Sequence, residues 1–61
     1  MCELTVYLLE NGREEKLMED VANIKPEGDR LVLTDLLGQQ KIVDAKFQEL
    51  KLLEHKAVLT K

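Results

Sequence analysis

Cysteine, proline, serine and tryptophan are scarce or missing in this 61-residue chain, which holds one cysteine, one proline and no serine or tryptophan. A lone cysteine cannot close an intrachain disulfide, which argues against a secreted disulfide scaffold. The expected compartment is a reducing cytoplasm. With no serine, and no Cys/His pair beside an evident orienting acid, an enzyme is not expected, because nucleophilic catalysis needs nucleophile, base and orienter together. Aromatics are limited to Tyr7 and Phe47, and we expect both in the core rather than as base-stacking platforms. The chain does not open on a basic stretch leading into an apolar one, so a signal peptide is not expected. No apolar run approaches the length of a membrane span.

Length sets the next bound. Residues 1–61 are expected to form one domain, burying only about 60% of the surface that the unfolded chain exposes. A core of that size supplies roughly 3–5 kcal/mol, and comparable natural chains add a disulfide, a metal or a partner subunit. With the disulfide excluded, metal or oligomerisation remains. Twelve acidic residues against nine basic ones give a net charge of −3, a poor start for neutralising phosphates, so nucleic acid is not an expected partner. Lys41, Lys46, Lys51, Lys56 and Lys61 recur every five residues. That period fits neither strand nor helix, and it reads as scattered solubilising charge rather than a basic stripe.

The rest reads as strands and turns. Leu4 to Leu9 is β-branched and aromatic enough for a strand, with Leu4, Val6 and Leu8 on one face. Asn11-Gly12 is the dipeptide that best suits a two-residue type I′ hairpin turn. A strand over residues 15–24 should then fold back antiparallel. Leu17, Val21 and Ile24 also satisfy helical spacing, so strand and helix compete there, and the turn favours the strand. Pro26-Glu27-Gly28-Asp29 predicts a turn, residues 30–34 a strand with Leu31 and Leu33 on one face, and Gly38 a break. Residues 40–50 carry the longest strand signal, with Val43, Ala45 and Phe47 alternating against polar neighbours. A short helical turn or bend over residues 49–54 would carry Leu50 and Leu53 inward, and Ala57 to Leu59 closes the chain as a strand. Five short strands at this spacing predict an all-β fold, a small barrel or sandwich.

Cys2 is the most specific chemical feature. Its thiolate is a ligand for soft and borderline metals, and it lies one residue from an α-amino nitrogen. Free cysteine is otherwise most often a small buried hydrophobe, and one cysteine is far below the ligand count of a convincing metal motif. A dimer axis would double it. His55 is a second candidate ligand, but between Glu54 and Lys56 at a turn it is expected to be exposed or hydrogen-bonded. Glu3 reads as a surface carboxylate.

The opening Met1-Cys2-Glu3, Tyr7-Leu8, Asn11-Gly12 before Glu14-Glu15, and Met18-Glu19 with Val21 resemble the CooT family. So do Gly38-Gln39-Gln40 and Leu53-Glu54-His55-Lys56 with Leu59. These are small nickel-binding accessory proteins associated with carbon monoxide dehydrogenase maturation. The resemblance implies an SH3-like barrel, a homodimer, and one Ni(II) per dimer held by the two Cys2 thiolates, with amine or backbone nitrogens as further donors. It also implies a metallochaperone role with a nickel enzyme such as carbon monoxide dehydrogenase as client. Ni(II) accepts square-planar geometry where Zn(II) prefers a tetrahedron, and binding should displace a thiol proton and strengthen with rising pH. Two other readings stay open: an RNA-binding Sm- or SH3-like module, and a peptide-binding or assembly module that uses an open barrel edge.

Overall fold

The structure, a computed structural model, describes residues 3–61. Six strands form one sheet: β1 (Leu4–Glu10), β2 (Arg13–Glu27), β3 (Arg30–Asp35), β4 (Gln40–Val43), β5 (Lys46–Lys51) and β6 (Lys56–Thr60). Their order across the sheet is β4-β3-β2-β1-β6-β5. The outermost strands, β4 and β5, are joined directly through Asp44 and Ala45, so the sheet wraps back on itself as a flattened barrel of 30 × 28 × 14 Å. The all-β, barrel-like expectation holds, with six strands in place of five.

The hairpins form where turn chemistry placed them. Asn11 and Gly12 both take positive φ, 55° and 76°, as a type I′ turn requires. The second turn is tighter than expected: Pro26 stays in β2 opposite Leu31, and only Gly28 and Asp29 turn the chain. Gly28, at φ 62°, occupies the first central position, where a type II′ turn wants glycine.

The ambiguous second segment is strand throughout, and its helix-like spacing has a structural cause. Leu4 pairs with Val21, Val6 with Met18 and Tyr7 with Lys16, so β2 carries extra residues on each side of Met18. Another irregularity lies between Val21 and Asn23, where β2 passes to β3. Each bulge resets which side chains face inward and bends the strand. Leu17, Met18, Val21 and Ile24 can therefore all pack on the core without strict alternation. The bend lets one long strand serve β1 with its first half and β3 with its second.

The core gathers Val6, Leu8, Val21, Leu31, Leu33, Ala45, Ala57 and Leu59, with Leu4 and Val43 partly buried against it. Leu4, Val6 and Leu8 share one face as expected. β1 pairs antiparallel with β2 and parallel with β6, placing Val6 beside Ala57 and Leu8 beside Leu59.

Four expectations need correction. Residues 40–50 are not one strand: the chain leaves β3 at Val43, crosses at Asp44 and Ala45, and joins β6 from Lys46. No glycine or proline marks the crossing, because Ala45 remains buried and the inward alternation continues through it. Phe47 is not core but half-exposed, since it lies on an edge strand with no further strand beyond it. Tyr7 is half-buried on the outer face, its ring centroid 4.8 Å from Lys56 Nζ. Lys56 also pairs with Glu14, and this hydrogen-bonded contact raises its pKa. Leu50 and Leu53 are not carried into the core: Leu50, opposite Ala57 on the edge strand, stays half-exposed, the 3-10 turn Leu52–Glu54 has no buried residue, and Leu53 is 99% exposed.

Candidate functional site

Cys2 lies outside the described residues. What the structure describes is the rim at which β1 starts. Asp35 pairs with Val21, Val21 with Leu4, Thr5 with Lys56 and Lys56 with Lys51, which makes one row across the sheet. Everything that leaves this row leaves from the same rim: the chain before Leu4, the β3–β4 loop, and the 3-10 turn before β6. Thr5 N–H donates to the His55 carbonyl at 2.9 Å, which fastens the start of β1 to that turn.

The rim is apolar and rigid. In the β3–β4 loop the Asp35 carboxylate accepts from Leu37 N–H at 2.9 Å and Gln39 N–H at 2.8 Å. Leu36 N–H donates to the Asp20 carbonyl, and Gly38 N–H to the Asp35 carbonyl. Gly38 takes the positive φ of 85° that the turn demands. A loop with this many bonds nevertheless leaves Leu36 half-exposed and Leu37 85% exposed. On the other side, Leu52 and Leu53 project from a 3-10 turn closed by His55 N–H to the Leu52 carbonyl at 3.1 Å. In the strand order β1 lies between β3 and β6, so the two leucine pairs come from elements on either side of its start. The rim thus shows four exposed leucines, Leu36, Leu37, Leu52 and Leu53.

The sequence-predicted site residues fall unequally on this rim. His55 is exposed, in left-handed conformation at φ 51°, and its backbone carries its hydrogen bonds. Glu3 is half-buried immediately before β1. Among the described residues no three His, Cys, Asp or Glu side chains gather as a metal-holding group. The leucine pairs were missed by sequence reasoning, though a signal existed: two adjacent leucines cannot both face the same core from an extended strand.

A family model described as "CO dehydrogenase accessory protein CooT" matches residues 1–60. The chain belongs to the CooT family. No curated protein matches it significantly. Among solved structures, a chain assigned to CooT from Carboxydothermus hydrogenoformans superposes with a TM-score of 0.92 at 30% identity, over 98% of this chain and 97% of that one. Membership gives the chain an accessory role associated with carbon monoxide dehydrogenase. Among its described residues no helix is long and apolar enough to cross a membrane.

Proposed function

We propose that this CooT-family chain is a single-domain, cytoplasmic nickel-binding accessory protein that works as a homodimer. One Ni(II) is held between the two Cys2 thiolates for delivery to a nickel enzyme such as carbon monoxide dehydrogenase. The apolar rim carries this reading. Burying Leu36, Leu37, Leu52 and Leu53 against the same surface of a second copy would remove them from water, and an isologous contact brings each element next to its own copy or its counterpart. The start of β1 belongs to that rim, so such a contact would bring the two Cys2 residues toward the axis. Nickel enters as cargo: two thiolates with backbone or amine nitrogens suit a square-planar ion.

Titration of the untagged chain with Ni(II) tests this reading. Thiolate-to-nickel charge-transfer absorption should grow with metal, saturate near one ion per dimer and strengthen as pH approaches about 8.5. Cys2→Ser should abolish the absorption and leave the fold intact; nickel binding that survives this change rejects the proposal.

A further inference from the structure

The end of the barrel away from the N-terminal rim carries a second apolar surface, between the β2–β3 hairpin and the start of β5. Pro26 is the cross-strand partner of Leu31, and Phe47 is the partner of Leu59. Leu31, Ala45 and Leu59 all belong to the core, so Pro26 and Phe47 lie on the inward face of their strands. They meet solvent because the layers of the flattened barrel part here. The mouth encloses about 300 Å³ and is lined by these residues together with Gly28, Asp29, Arg30 and Lys46. That volume is at the low end for small-molecule sites, and half-exposed Phe47 leaves it open; it suits one or two side chains of an extended chain.

Charge gives the mouth its direction. Lys16, Lys56 and Lys61 each pair with a carboxylate, from Glu19, Glu14 and Glu10. Among the described residues Arg30 and Lys46 form no such pair, although acidic residues outnumber basic ones in the sequence. Both are exposed, and each precedes an inward-facing residue, so they stand at the lips of the mouth. Asp29 is the one opposing charge lining it.

We propose that this mouth is a docking groove for an extended acidic–apolar segment of a different protein, whose apolar side chain enters between Phe47, Leu31 and Pro26 while neighbouring carboxylates meet Arg30 and Lys46. Strand-like peptide recognition works this way, with pockets for alternate side chains supplying specificity. A second copy is a poorer occupant. Of this chain's own exposed acidic–apolar segments, Glu49-Leu50 is within β5 itself and Leu53-Glu54 is on the opposite rim, and a head-to-tail contact through either builds a ring or an open filament rather than a closed two-fold pair. The groove lies apart from the N-terminal rim, so it stands or falls independently of the nickel reading.

The full chain, ¹⁵N-labelled and free of metal, should be titrated with a synthetic peptide of alternating leucine and glutamate. Amide shifts confined to residues 27–31 and 45–47 are expected. Binding should weaken about fivefold when lysine replaces glutamate in the peptide, and by a similar factor in the double variant Arg30→Glu with Lys46→Glu. Both positions are exposed, so this variant should keep the spectrum of a folded chain, and its preference should reverse toward the lysine peptide. Phe47→Ala should weaken both peptides alike. The proposal is overturned by absence of shifts at millimolar peptide, by shifts at Leu36, Leu37, Leu52 and Leu53 instead, or by tighter binding of oligouridylate than of the acidic peptide. It is equally overturned if the chain alone forms filaments that the double variant abolishes.

Discussion

Backbone conformation at single residues decides how the rim is displayed. Gly38 and His55 both occupy positive φ, one at the end of each leucine-bearing segment. A Cβ at Gly38 would meet nothing within 4 Å, so any cost of adding one is conformational rather than steric crowding from neighbours. Gly38→Ala is expected to lower stability by about 1 kcal/mol in chemical denaturation. His55→Gly should fall within about 1 kcal/mol of the parent, because relief of the left-handed strain offsets the entropy that glycine adds to the unfolded chain. A large loss in His55→Gly would instead mean that the imidazole itself supports the turn. The regular lysine spacing dissolves at this scale. Lys41 bonds the Leu17 carbonyl, Lys56 lies over Tyr7, Lys61 pairs with Glu10 at 3.6 Å, and Lys46 stands at the groove.

Among the elements, β2 does most to shape the barrel. Its bulges turn a run that alternates poorly into one that packs on the core through Leu17, Met18, Val21 and Ile24. Deleting Ala22 removes one bulge and shifts by one residue the face presented by the residues beyond it. We expect that variant to lose the dispersed ¹⁵N–¹H spectrum of a folded chain, whereas Ala22→Gly should retain it. The hairpins were legible because their signals are local: Asn11-Gly12 and Gly28 set φ within the turn itself. Three features were not legible. The parallel pairing of β1 with β6 joins residues some fifty positions apart, a relation that local propensity does not encode. The crossing at Asp44 and Ala45 is hidden by alternation that runs through it. The bulges of β2 imitate helical spacing, because both devices bring residues three and four apart onto one side.

For the molecule as a whole, exposure of leucines and association are one question. The double variant Leu37→Asp with Leu53→Asp removes apolar surface from both sides of the rim without touching the core. Light scattering should report the mass of one chain for the variant and of two for the parent, and nickel should no longer saturate near one ion per two chains. A variant that still has the mass of two chains would place the dimer contact elsewhere. The site was less legible than the fold. Cys2 stood out by rarity, but the metal role proposed for it came from resemblance, and the leucine-bearing surface at the start of β1 emerges only when two loops distant in sequence meet on one rim. That meeting has a temporal consequence. The start of β1 is secured by the His55 carbonyl and by pairing along β6, so its anchoring waits for the last strand to be synthesised. A growing polypeptide can close the β1–β2 and β2–β3 hairpins early, since they are local. The start of β1 therefore stays unanchored after both hairpins have closed, and the row through Thr5 and Lys56 is completed only when β6 joins the sheet.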